Sequence, residues 1–424
     1  MSTKVVEAET LNTELHDQIL SLYEQGLFLK AFETSKQAGP LVKWKGNRSR
    51  VLAARISNHV GSTRLGRTLI RLAHRQCPTD PEIIYFHTYS MLGRRGGYKT
   101  FQVINELGEL DGADDVLKSD WFALRGLLHG ALRDFEKSDQ WINRAIEMNP
   151  ERAWLHVQRS SILEMQDRPK EAIAAAEHAM ELQPWYRPAV QSLAHRMIQD
   201  HRDEEAIKLL STANEKLESG DLRIQLGGLF LELERFEEAK KYYSNIEKYF
   251  PLLKMEHKVV EALSSLNADL QYYCGNYAEA AKLAKQAKNE FFDEMAERLT
   301  DPKFEGKRIR LPVHFVRQDH RTCAPATLTA IANYWDKPVE QLEIVEEICY
   351  DGTPAHSERK WAEDSGYVTQ EFRVTWESAT ALIDRGIPFT LTTCDPGSAH
   401  LQAVIGYDEY RHSLLIRDLS LIHI

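Results

Sequence analysis

The chain has 424 residues, 43% of them hydrophobic and 27% charged, with a formal net charge of −10. That length supports two or more domains with substantial cores, and the composition excludes a disordered or fibrous chain. No apolar run reaches membrane-spanning length, the start lacks a signal segment, and five scattered cysteines argue against a disulfide framework.

In chain order, the first signals are helical. Loosely regular helical pairs are expected at about 12–38, 48–77 and 82–110. Between Ser35 and Thr79 there are ten Lys/Arg and no Asp/Glu, and Arg64, Arg67, Arg71 and Arg75 fall on one helical face. This stripe is either a solvated face or a binding surface for an acidic partner, the chain's own acidic C-terminal segment included. Nucleic acid is not expected, because the chain is acidic and no basic motif is interleaved with aromatics.

Regular repeats follow. Ala145-Ile-Glu-Met-Asn-Pro150 returns as Ala179-Met-Glu-Leu-Gln-Pro184, a spacing of 34 residues, and Ala172 and Ala206 keep the same spacing. Helix pairs are read at 120–149, 154–183, 187–217, 221–250 and 257–291, with Gly126 and Gly228 near the small position where paired helices cross. The pattern resembles the tetratricopeptide repeat. That resemblance implies a right-handed solenoid, since no single pair can bury its apolar face alone, with a concave surface suited to a peptide or helix.

A polar connector, Asp301 to Arg310, leads to Leu311-Pro-Val-His-Phe-Val, expected to be extended, and then to Gln318-Asp-His-Arg-Thr-Cys323. Cys323 opens an apolar run with helical spacing (Leu328, Ile331, Ala332, Trp335), so its sulfur is expected at a helix N-terminus, where unpaired N–H groups favour the thiolate. Gln318 is placed to donate to an oxyanion forming beside that sulfur. The partner histidine is read in Ser398-Ala-His400-Leu-Gln-Ala-Val-Ile-Gly406-Tyr-Asp, and the acid at Asp418. His400 and Asp418 are expected on adjacent strands. They share a sheet face only if even positions pair with even, as a turn centred on Tyr410 would arrange. Cys77, Cys274, Cys349 and Cys394 are read as buried small hydrophobes.

The order Gln, Cys, His, Asp resembles the papain-like cysteine peptidases, and among them those that process bacteriocin leader peptides. The likeness runs from about Leu311 to Asp418 and takes in Leu382-Ile-Asp-Arg-Gly-Ile-Pro388 as a helix, turn and strand. Two positions depart from that pattern: Ala324 follows the nucleophile where glycine is usual, and Leu419 stands where proline is common.

The expected architecture is therefore mostly α: a tetratricopeptide-type α-solenoid over 1–300, a linker at 301–310, and a small α+β papain-like domain over 311–424. Ser420 to Ile424 resembles translated adapter sequence, so this last domain is expected to be truncated. The resemblance implies a cysteine peptidase using Cys323, His400, Asp418 and Gln318, with the array recruiting substrate or partner; no metal or cofactor is expected, and the missing signal segment with the scattered cysteines points to the cytoplasm. Two alternatives use the same residues differently: an interaction scaffold whose papain-like domain is inactive, or a cysteine acyltransferase in which an amine resolves the thioester.

Overall fold

The computed structural model describes residues 8–318, 322–350, 352–395 and 398–417, and it divides into two compact units, 1–270 and 271–424. The first unit is a run of antiparallel helices. It begins with α1 (Thr13–Glu24), α2 (Phe28–Ser35), α3 (Asn47–His59), α4 (Thr63–Gln76) and α5 (Pro81–Leu107), which a kink at Gly96 breaks into two helical segments. The 34-residue repeat then gives α6 (Asp115–Ala131) with α7 (Phe135–Met148), and α8 (Ala153–Met165) with α9 (Pro169–Leu182). It continues through α10 (Arg187–Gln199) with α11 (Asp203–Lys216), and α12 (Gly220–Glu232) with α13 (Phe236–Tyr243) and α14 (Ile246–Tyr249). The helix α15 (His257–Tyr273) crosses into the second unit.

The small residues that mark the period are where the helices cross. Ala145, Ala172, Ala179, Ala206 and Ala239 are all fully buried. At Gly126 an added Cβ would sit 3.1 Å from the Ser138 carbonyl, and the Ser138 hydroxyl donates to the Gly126 carbonyl at 2.8 Å. In α12 the tight position is Gly227, not the expected Gly228. A Cβ on Gly227 would lie 2.6 Å from the Tyr243 ring, whereas one on Gly228 meets nothing nearer than the Tyr243 hydroxyl at 3.7 Å.

One property of this unit has no periodic signature. Its early helices touch its late ones: Leu252 N–H donates to Val60 O at 2.9 Å, Glu218 N–H to Gly26 O at 3.2 Å, and His59 meets Asp221 at 3.1 Å. Burial, helped by the Arg187 charge, lowers the His59 pKa, so neutral imidazole fills this contact.

The second unit takes in the last turn of α15, then α16 (Tyr277–Ala284), α17 (Glu290–Thr300), β1 (Arg308–Arg310), α18 (Cys323–Tyr334), α19 (Gln341–Ile348), α20 (Ala355–Asp364) and α21 (Trp376–Asp384). It ends with β2 (Phe389–Asp395), β3 (Ser398–Asp408) and β4 (Ser413–Arg417). The division into units thus falls inside α15, upstream of the connector at 301–310, because Tyr272 and Tyr273 are built into the sheet region. The four strands form one antiparallel sheet in which β3 pairs with β1, β2 and β4. Helix α18 lies between two cores. Ala330 and Ile331 face the sheet with Phe389, Val404 and Ile405, while Leu328 and Ala332 pack with Ile344 and Trp361.

None of the four cysteines read as buried is fully so. Cys77, Cys274 and Cys349 are half-buried, and Cys394 is exposed on β2. Strand β2 lies at the sheet edge, where alternate side chains face solvent.

Candidate active site

Cys323 is the first residue of α18 and partly exposed. The helix forms because Ala, Leu and Ile fill its length, and Pro325 falls in the first turn, where a missing N–H is tolerated. Among the first three residues, only Cys323 and Ala324 therefore carry an N–H with no partner inside the helix. Thr322 at the N-cap makes no side-chain capping bond; its hydroxyl accepts from Gln341 Nε2 at 3.1 Å. The helix macrodipole adds positive potential at the end that carries the sulfur.

Helix α18 is tied to β3 by a buried bond: Thr327 Oγ1 donates to the Leu401 carbonyl at 3.1 Å. Thr327 stands four residues after Cys323, one turn along the same helix face, and Leu401 directly follows His400. This bond ties the helix that Cys323 opens to the strand position next to His400. His400 is half-buried and pairs with Thr393 of β2, whose hydroxyl donates to the His400 carbonyl at 3.4 Å. Gln318, in the extended lead-in, is half-buried, and its Oε1 has no hydrogen-bond partner among the described residues. An amide turned about its last bond presents NH2 in the same place, which makes Gln318 available as a donor. Asp418 lies outside the described residues.

The register of β4 on β3 bears on the His400 face. Asp408 pairs with Ser413, Tyr407 with Leu414 and Gly406 with Leu415, so the turn is centred between Tyr410 and Arg411, not on Tyr410, the centre that would by itself pair even with even. Taken alone, that turn pairs even positions with odd. A bulge at Ile405 adds one residue to β3, after which Val404 pairs with Ile416 and Ala403 with Arg417. Even now faces even, so Ile416 shares a face with Val404, Gln402 and His400. Glycine is required beside the bulge: a Cβ on Gly406 would sit 2.1 Å from the Ile309 carbonyl. Arg417 secures the far end of β4 through its Nε and Nη2, which donate to Val313 O at 3.2 and 2.9 Å.

Sequence reasoning missed Thr327, Gly406 and Asp408. The first was available from its four-residue offset to Cys323. The other two act through register, which a single strand does not reveal. In the first unit, Arg64, Arg67, Arg71 and Arg75 are all exposed along α4, as their spacing requires. No group of three or more His, Cys, Asp or Glu among the described residues is arranged to hold a metal ion. No helix among them is long and apolar enough to cross a membrane.

Comparison with known proteins separates the same two regions. Residues 310–419 match the Peptidase_C39 like family, and residues 122–152 match the tetratricopeptide repeat. No curated protein sequence is detectably similar to the chain. Solved structures that resemble it include Cut9–Hcn1 of the APC/C hetero-tetramer, at 14% identity and a TM-score of 0.43 over 64% of this chain. The chain spans only 52% of that structure's length. The thermophilic TPR protein TTC0263 of Thermus thermophilus is 19% identical, with a TM-score of 0.36 over 44% of this chain and all of its own. Human IFIT1, in a dimer with m7Gppp-AAAA, is 16% identical, with a TM-score of 0.41 over 64% of this chain and 70% of its own. The chain is a fusion of a tetratricopeptide repeat array with a C39-like peptidase domain at its C-terminal end.

Proposed function

We propose that the second unit is a cysteine peptidase in which Cys323 is the nucleophile, His400 the general base and acid, Asp418 the orienting acid and Gln318 an oxyanion donor. The observation that supports this reading is the Thr327–Leu401 bond at 3.1 Å, which joins the helix that Cys323 opens to the residue after His400 on β3. His400 takes the Cys323 proton, and the resulting thiolate attacks the substrate's amide carbonyl. The oxyanion is held by the Cys323 N–H and the Gln318 amide. His400 then protonates the leaving amine, and water, giving its proton to His400, hydrolyses the thioester and restores the thiol. Ala324 in place of glycine does not obstruct this scheme, because its methyl group is 1% exposed and packs inward from the helix start. Incubating the full chain with a peptide library should give cleavage products that Cys323→Ala does not. Equal product from both proteins would sink the proposal, and no product from either would favour a binding scaffold; products joined to an added amine would mark an acyltransferase.

The array's part in this proposal is recruitment. Arg64, Arg67, Arg71 and Arg75 form an exposed cationic stripe that fits an acidic protein segment. Reversing Arg67 and Arg71 to Glu should slow association with an acidic substrate several-fold at low salt, fading as the Debye length shortens to about 8 Å. Hydrolysis of a short neutral peptide should stay unchanged. Equal association rates at low salt would make the stripe a solvated face.

A further inference from the structure

The acid that closes the Gly-Tyr-Asp sequence is not placed as a surface turn residue. Asp408 is fully buried, and its carboxylate is satisfied from two directions. Within the hairpin, Oδ1 accepts the backbone N–H groups of Tyr410 at 3.0 Å and Arg411 at 3.3 Å, which folds the chain tightly over the turn. From outside the hairpin, the Tyr272 hydroxyl at the end of α15 donates to Oδ2 at 2.7 Å, and Arg308 Nε stands 3.5 Å away. Burial and the neighbouring carboxylate push the Tyr272 ionisation well above its ordinary range, so the phenol stays a donor. Next to it, Arg411 donates to the Tyr273 hydroxyl at 2.5 Å and lies over the Phe291 ring at 5.5 Å. The turn that joins β3 to β4 is thus clamped by the last turn of a repeat helix and by α17.

We infer that Tyr272 is a positioning residue for the active site: it holds Asp408, Asp408 fixes the length of the β3–β4 turn, and that turn with the Ile405 bulge sets which side chains of β4 share the His400 face. Turn and bulge each change the pairing by one residue, and the even-to-even register needs both. A turn longer or shorter by one residue would send every β4 side chain to the opposite face. Without the Tyr272 hydroxyl the buried Oδ2 keeps only the long 3.5 Å contact to Arg308 Nε, so the carboxylate would be undersatisfied and the turn would relax toward solvent to hydrate it. The last turn of α15, which belongs to the second unit, is therefore a structural part of that unit's hairpin. The geometric part stands alone; its catalytic consequence rests on the proposed peptidase reading.

The test uses the full chain with Tyr272→Phe, which keeps the ring and removes one hydroxyl, and two variants at the carboxylate, Asp408→Asn and Asp408→Ala. Amide hydrogen exchange over Ser413–Arg417 reads the hairpin directly. It should quicken about tenfold or more in Tyr272→Phe, and Asp408→Asn, which keeps an acceptor, should protect better than Asp408→Ala. Alkylation of Cys323 by iodoacetamide from pH 5 to 9, quantified by mass spectrometry, reads the site. In Tyr272→Phe the rate at pH 6 should fall several-fold while the limiting rate at high pH is kept, a change that a loss of global stability alone would not produce. Parent-like exchange in Tyr272→Phe would overturn the inference. So would faster exchange with an unchanged alkylation profile in a chain whose parent shows an activated Cys323. If the parent's Cys323 reacts as an ordinary thiol while exchange still quickens, the peptidase reading falls and the clamp on the hairpin stands.

Discussion

The repeat array and the peptidase-like unit are specified in different ways. In the array, the same small residue returns every 34 positions and does the same packing job each time, as at Ala145 and Ala179. In the second unit, single residues carry geometry that nothing repeats: Thr327 ties one helix to one strand, Gly406 admits one bulge, and Asp408 sets one turn. A periodic unit spreads its specification over many positions, so one substitution perturbs one crossing. A non-periodic unit concentrates it, and one substitution can move the site.

Glycine substitutions put that contrast to its hardest test. Gly406→Ala places a methyl group on the Ile309 carbonyl, and backbone on both sides must shift to relieve it. The expected loss is roughly 3 kcal/mol or more, with the bulge and the β4 register disturbed. Gly228→Ala, in the array, meets only the Tyr243 hydroxyl at ordinary distance and should be neutral or stabilise by about 0.5–1 kcal/mol. Denaturant unfolding of the full chain, followed by probes in each unit, measures both. Equal effects would erase the distinction.

Removing Thr327's hydroxyl comes next in size. Thr327→Val keeps the shape and strands the Leu401 carbonyl, at about 1–3 kcal/mol. Peptide cleavage should fall at least tenfold if the helix start moves away from His400, with KM little changed. A variant with parent kcat would show that the α18–β3 bond does not position the pair.

The smallest expected effect is on pH dependence in the array. Burial, with help from His74 and Arg95, pushes the His87 imidazole down to about 4. In the unfolded chain the same group protonates near its ordinary value of about 6.5. Between these two values the unfolded state binds a proton that the folded state refuses. Stability contributed by the neutral ring is thus full above pH 6.5 and lost as pH falls toward 4. His87→Gln should flatten the melting temperature over that window, and an unchanged slope would assign the dependence to other groups.

Much of the molecule was legible in the sequence for reasons that follow from this contrast. The helix pairs from residue 115 onward were readable because helical spacing and a fixed period reinforce each other, and Cys323 was readable as a helix start because an apolar run follows it. Contacts such as His59 with Asp221 were not, since they join residues far apart through shape alone. Gly227 was missed in favour of Gly228 because adjacent glycines differ only in the direction each faces. The parity of the strand pairing stayed conditional on where the turn is centred; it comes from an off-centre turn corrected by a bulge, and alternation along one strand carries no information about either.

The central claim is that Cys323 is an activated nucleophile paired with His400. A cysteine-directed electrophilic probe, applied to the folded full chain near pH 6 and followed by peptide mass spectrometry, compares all five cysteines in one experiment. The account predicts that half-buried Cys323 is labelled fastest, ahead of the more exposed Cys394, and that His400→Ala reduces Cys323 labelling by tenfold or more without affecting Cys394. Labelling led by Cys394, with Cys323 indifferent to the loss of His400, would contradict it.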